Sequence, residues 1–174
     1  MKKVNIIIGL VYAVLLVGCN KDYLNRFPED QPNSATYFTT AEQLNLAVNG
    51  AYSTLSYQQD GFPYQMQLEG TSDVVWQRPN TDAQAIGLGQ HTSNTTMIRT
   101  IWTQSYIGIG RCNMLLDNMS KAKAVTPAAQ YSRIEGEAKF LRAYYYANLI
   151  SLYGDVPLVV KSITPEESFL PRTS

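Results

Sequence analysis

The sequence predicts an all-α fold of helix pairs resembling helical-repeat (TPR-like) packing, with a long irregular loop region between the first two helices. Three observations carry this. Three segments repeat apolar residues at three- and four-residue intervals, which puts them on one helical face. No run alternates apolar and polar residues convincingly enough to make a half-buried strand. Start and stop signals frame the last segment, where Thr126 and Pro127 precede the periodic residues and Gly154 and Pro157 follow them.

In the first segment Leu44, Ala47, Val48, Ala51, Tyr52 and Leu55 share a face. Thr40 with Gln43, or Thr39 with Glu42, supplies a capping box. Gly50 lies inside this helix at a cost of about 1 kcal/mol relative to alanine, and close approach of a neighbouring helix would explain it. The second stripe runs through Ile98, Ile101, Trp102, Tyr106, Ile109, Cys112, Asn113 and Leu116. Trp102 is assigned to the core on this period. The third carries Ile134, Ala138, Leu141, Tyr145, Leu149 and Leu152, with Thr126 as N-cap and Pro127 at the first helical position. Between the first two helices lies Gln58 to Thr96, rich in Gly, Pro, Asn, Gln, Ser and Thr; within it Met66 to Val75 fits a short helix or a strand. Long loops inside compact domains tend to be functional.

Composition excludes other classes. The 174 residues are 45% hydrophobic with 14 basic and 14 acidic side chains, neither the low hydrophobicity of a disordered chain nor the basic excess of a nucleic-acid binder. The sequence implies no cofactor or metal site. His91 is the sole histidine and has no nucleophile at a recognisable elbow, and Gly108-Ile109-Gly110 lies within a helical period rather than after a strand. Glu135 and Glu137 are two apart on a helix and point different ways, so they do not form an acid/base pair as a glycosidase needs. The reading is of a non-enzyme.

The N-terminus is an address. Lys2 and Lys3 precede Ile6 to Val17, an apolar stretch too short to span a hydrocarbon core of about 30 Å. Leu16-Val17-Gly18-Cys19 resembles the bacterial lipobox, which implies residues 1–18 as a lipoprotein signal peptide and Cys19 as the lipidated first residue of the mature chain. Residues 19–40 then read as an extended tether and 41–174 as the helical domain. Losing Lys2 and Lys3 leaves 12 basic against 14 acidic side chains. Cys112 becomes the remaining thiol, on an apolar stripe where burial is expected.

The third helix and its exit read Gly136-Glu137-Ala138-Lys139-Phe140-Leu141-Arg142-Ala143-Tyr144-Tyr145-Tyr146, then Tyr153-Gly154-Asp155-Val156-Pro157-Leu158. This resembles the hallmark segment of the SusD/RagB family of outer-membrane nutrient-binding lipoproteins. The lipobox with Asp22-Tyr23-Leu24, the first helix with Glu42-Gln43-Leu44, Gly50 and Tyr52, and Trp102 with Tyr106, Ile109 and Asn113 extend the resemblance along the chain. Tyr146 stands where the family commonly has phenylalanine, which adds a hydroxyl that needs a partner. Glu137 and Arg142 read as structural groups that orient helices or cap a chain end. Family members run to several hundred residues, so the resemblance implies the N-terminal portion of a SusD-like protein.

The resemblance further implies a protein on the outer membrane, anchored by lipid and facing the cell exterior. It would bind an oligosaccharide or other nutrient and pass it to a SusC-like TonB-dependent transporter. Such a site needs aromatic faces for sugar rings and polar groups for hydroxyls. Trp76 is the best stacking candidate in the loop, although a core role suits it somewhat better, and Tyr64 comes next; Asp73, Arg78, Asn80 and His91 supply polar contacts. A helical scaffold or gating subunit of a transporter complex, without its own ligand site, is the alternative.

Overall fold

The computed structural model describes residues 37–173 apart from 60, 61, 77, 78 and 80. The expected signal segment, Cys19 and most of the tether lie outside the described residues. Among the described residues the fold is all-α, with five α-helices and a hairpin of two-residue strands. These are α1 (Ala41–Tyr52), the antiparallel pair β1 (Gln58–Gln59) and β2 (Phe62–Pro63), α2 (Tyr64–Glu69), α3 (Asp82–Gly87), α4 (Thr96–Asn118) and α5 (Ala128–Tyr153). Helices α4 and α5 pack along each other and α1 lies against both.

The start of α1 selects between the two capping options. Thr40 Oγ1 accepts from the Gln43 N–H at 3.2 Å, while Gln43 Oε1 accepts from the backbone N–H groups of Thr40 and Thr39 at 3.2 and 2.8 Å. Leu44, Val48 and Ala51 are buried as the period demands, but Tyr52, at the last turn, is exposed. On α4, Ile101, Ile109, Cys112 and Asn113 are buried; Trp102 and Tyr106 are half-buried against the core. On α5 the stripe Ile134, Ala138, Leu141, Tyr145 and Leu149 is buried, but Leu152 is 46% exposed. Thr126 does not cap α5. Its hydroxyl donates back to the Ala122 carbonyl at 2.8 Å, so Pro127 takes the N-cap position. At the other end Gly154, with φ of 69°, donates its N–H to the Ile150 carbonyl at 3.0 Å, a left-handed turn that favours glycine.

The close approach expected at Gly50 occurs at Gly108 instead. A Cβ at Gly50 would have no atom within 4 Å, whereas one at Gly108 would lie 2.5 Å from Tyr145 Cζ and 2.8 Å from Thr54 Oγ1. The Tyr145 ring therefore crosses α4 where a side chain is missing. Its hydroxyl and that of Thr54 hydrogen-bond each other, and lie 2.7 and 2.8 Å from the Ala51 carbonyl at the end of α1.

The abundance of tyrosine, 12 residues against five phenylalanines, has a structural use. Besides Tyr145, three hydroxyls donate to carbonyls outside their own helices: Tyr106 to Pro157 at 2.8 Å, Tyr146 to Val159 at 3.0 Å and Tyr153 to Ile98 at 2.6 Å. Tyr146 Oη also accepts from the Val159 N–H at 2.6 Å, so the hydroxyl that phenylalanine would lack is fully engaged. The extended segment after α5 is held by further groups. Asn113 Nδ2 donates to the carbonyls of Val159 and Lys161 at 3.0 and 3.1 Å, and Arg142 Nη1 to the Val160 carbonyl at 2.9 Å and to Asn113 Oδ1 at 2.8 Å. Asp117 Oδ2 accepts from the Ser162 N–H at 2.6 Å. The hallmark residues thus fasten the return segment to α4 and α5. Glu137 serves elsewhere: it pairs with Arg133 at 2.5 Å, and Arg133 reaches Asn45 on α1 at 3.0 Å.

Burial pushes Tyr64, Tyr106 and Tyr153 up to about 12 and raises Tyr145 and Tyr146 as well. Because their folded pKa values exceed the ordinary value of about 10, the folded state retains these protons more tightly than the unfolded chain. Their contribution is intact below pH 10 and is lost as pH rises from 10 towards 12. Chemical denaturation midpoints should be flat between pH 8 and 9.5 and fall steeply above pH 10, with phenolate absorbance rising in step. A midpoint unchanged at pH 11.5 would contradict the buried tyrosine network. Cys112 is buried, and desolvation raises its thiol to about 11, so it is inert packing.

Candidate functional site

The region between α1 and α4 holds two of the short helices and most of the candidate ligand residues. Tyr64 opens α2 and is 7% exposed. Its ring stacks on Tyr57 at 5.8 Å, its hydroxyl accepts from Asn148 Nδ2 at 3.1 Å, and the space beside it is about 10 Å³, room for one water at most. The second stacking candidate is therefore a buried anchor whose face is already covered, which corrects the expectation for Tyr64. After α2 the backbone makes successive turns, Thr71 N–H to Leu68 and Ser72 N–H to Glu69 at 3.0 and 3.1 Å, and these lead into Asp73, Val74, Val75 and Trp76. Trp76 is 80% exposed, so the core role that suited it better is corrected and its indole face is available. Asp73 is exposed on the same run of turns. Arg78 and Asn80 lie outside the described residues.

His91 is placed by α3 and the turn that ends it. Thr81 caps α3 by accepting from the Gln84 N–H at 3.2 Å, and Asp82 Oδ2 accepts from the Met97 N–H at 2.8 Å, which ties α3 to the start of α4. Gly87 sits so close to the Thr71 turn that a Cβ would come within 3.2 Å of the Thr71 carbonyl, and Gly89 adopts φ of 68° to reverse the chain. His91 then stands exposed at the mouth of a cavity of about 400 Å³. Met97 and Ile101 form its buried floor, Ile98, Leu152 and Tyr153 its wall, and Thr71 and Ser93 share the rim. Leu152 is exposed because it lines this space rather than the core.

A larger cleft, about 530 Å³, lies between α4 and the return segment, beside Trp102, Tyr106, Met114 and Val159. Three of its polar side chains are already engaged. Tyr106 and Asn113 hold the return segment, and Arg111 Nη1 donates to the Gly50 carbonyl and to Ser53 Oγ at 2.7 and 2.8 Å. Trp102 is packed within an aromatic row, 5.1 Å from both Tyr106 and Tyr153, with the Arg172 guanidinium 5.7 Å from its ring. That cleft is a seam. The loop region holds the exposed indole of Trp76 and, beside His91, a part-polar cavity; the sequence singled out those two residues. It missed Thr71, Ser93, Met97, Leu152 and Tyr153, whose periodic or turn-forming positions carry no mark of a pocket.

Tightly tied helices thus carry a loop region with an exposed aromatic side chain. The family follows from comparison: a SusD-like family profile described as "starch-binding associating with outer membrane" matches residues 22–172. The chain belongs to this SusD-like family. SusD-like protein P25 of Formosa agariphila is 27% identical over 96% of this chain and 33% of its own length, and SusD-like protein P2 of the same organism 26% identical over 91% and 31%. A SusD-like carbohydrate binding protein from Bacteroides fragilis superposes with a TM-score of 0.69 at 28% identity, covering 80% of this chain and 29% of that one. A second SusD-like protein from that organism, 24% identical over 86% of this chain and 29% of its own, shares the fold with a TM-score of 0.64. The chain thus spans about a third of the length of these relatives. No described helix is long and apolar enough to cross a membrane.

Proposed function

We propose that this chain works in glycan capture: it belongs to a lipoprotein, anchored through Cys19 to the outer membrane and facing the exterior, that binds oligosaccharide without cleaving it and delivers it to a SusC-like TonB-dependent transporter. The observation that carries the reading within this chain is the exposed indole of Trp76 on the loop region of a family member. Trp76 stacks on a sugar ring; Asp73, Arg78, Asn80 and His91 take the hydroxyls. The test is calorimetric titration of the full-length protein with a panel of neutral and anionic oligosaccharides. Trp76→Ala is expected to weaken binding at least tenfold, about 1.4 kcal/mol, with thermal stability unchanged because the side chain packs on little. Undiminished affinity would remove Trp76 from the site.

One observation favours a second reading, a helical scaffold of a transporter complex. Phe140, Ala143, Ala147 and Ile150 form an exposed apolar stripe along the outer side of α5, and a helix apolar on both sides is ordinarily covered on both. That reading expects co-purification with the barrel and no affinity for any glycan of the panel.

A further inference from the structure

We infer that the small space beside Tyr145, between the end of α1 and the middle of α4, is a site for one structural water molecule that bridges Ser105 to the Thr54–Tyr145 hydroxyl pair. The inference goes beyond ligand capture and does not depend on it. The rings of Tyr57 and Tyr64 border the space, and the polar groups around it are Thr54, Gln104, Ser105 and Tyr145. Its volume of about 10 Å³ is that of one water-sized sphere and admits no larger ligand. A water stays in such a space when about two to four polar groups hold it.

The hydroxyl pair has acceptor sites to offer. Thr54 Oγ1 and Tyr145 Oη hydrogen-bond each other and lie 2.8 and 2.7 Å from the Ala51 carbonyl. Three contacts therefore share two hydroxyl hydrogens. Each hydroxyl oxygen has two acceptor sites, so with one hydroxyl donating to the other most of these sites stay open to a hydrogen from outside. Ser105 gives an independent reason. It lies in the interior of α4 and is 6% exposed. A helical hydroxyl can donate to the carbonyl four residues back, as Thr100 does to Thr96 at 2.8 Å. The Ser105 hydroxyl makes no such bond to Ile101 or to any other described residue. Among the described residues no side-chain polar atom is both sealed from water and unpartnered, so the Ser105 oxygen opens onto a space that water reaches. A water there donates one hydrogen to the Thr54–Tyr145 pair and bonds Ser105, while the half-buried Gln104 amide can give or take a third bond. The bridge joins the turn after α1 to α4 and α5 where Gly108 lets the Tyr145 ring cross.

Two measurements on the full-length protein test this. A high-resolution crystal structure should show one ordered water within hydrogen-bonding distance of Ser105 Oγ and of Thr54 Oγ1 or Tyr145 Oη. A dry space, or a Ser105 hydroxyl turned back to the Ile101 carbonyl, overturns the site. The second measurement is a double-mutant cycle by denaturant titration. Ser105→Ala removes one end of the bridge, and Thr54→Val removes the other while keeping its shape; Tyr145→Phe takes the place of Thr54→Val if that variant does not fold. Ser105 shares no hydrogen bond with Thr54 or Tyr145, so the water is what couples them. Each single variant is expected to raise the unfolding constant about fivefold, and the double variant by clearly less than the product of the two. Effects that simply multiply overturn the bridge.

Discussion

Replacing Asn113 with alanine is expected to lower stability by about 3 kcal/mol, a fall in melting temperature on the order of 10 °C for a domain of this size. Asn113 is fully buried on α4, yet it satisfies three partners at once: the carbonyls of Val159 and Lys161, and the Arg142 guanidinium. Truncation would leave two carbonyls and one side of a guanidinium unpaired, and each unsatisfied group costs more than its hydrogen bond contributed. The milder variant Tyr146→Phe restores the residue common in the family. It removes the acceptor for the Val159 N–H and should cost about 1 kcal/mol. Hydrogen exchange at Val159 should accelerate in both variants. Protection there equal to wild type in Asn113→Ala would show that the return segment is held by something else.

The second large effect is at Gly108. Alanine there should destabilise by about 2–3 kcal/mol, because the new methyl would occupy the Tyr145 ring and push apart the hydroxyl cluster at the end of α1. Gly110, two residues on, gives the opposite sign. A Cβ there meets nothing within 4 Å, so Gly110→Ala should stabilise by about 0.5–1 kcal/mol through the lower backbone entropy cost of alanine in a helix. Denaturant titration of the two variants side by side checks this, and a stabilised Gly108→Ala would refute the packing described.

The contrast between those glycines marks where sequence reading stops. Period alone located α1, α4 and α5 and their buried faces, because long amphipathic helices must show one apolar stripe to the core. It assigned the close approach to Gly50 and none to Gly108 or Gly110, since which glycine is approached depends on Tyr145, far away in the chain. Tyr52 and Leu152 went astray at helix ends, where the neighbours that continue a face are missing. The helices α2 and α3, six residues each, are too short to show a period. Trp76 sits alone in a loop without periodicity, so only tertiary structure could tell an exposed indole from a core one. The pocket at His91 joins α2, the approach to α4 and the end of α5, a juxtaposition that no local pattern encodes. Hallmark residues were the converse case: Arg142, Tyr106 and Asn113 were legible as a motif, and their backbone-fastening role needed coordinates.

The central claim is that the helices are a fixed frame and that Trp76 meets the ligand. The second tryptophan of these 174 residues, Trp102, belongs to the aromatic row, so the emission of Trp76 is read as the difference between Trp102→Phe and Trp102→Phe/Trp76→Phe in the full-length protein. That emission should begin at the long wavelengths of a solvated indole. On titration with the tightest-binding oligosaccharide of the panel it should shift to shorter wavelength, along a curve that matches the calorimetric affinity. Calorimetric saturation with no change in Trp76 emission would contradict the account.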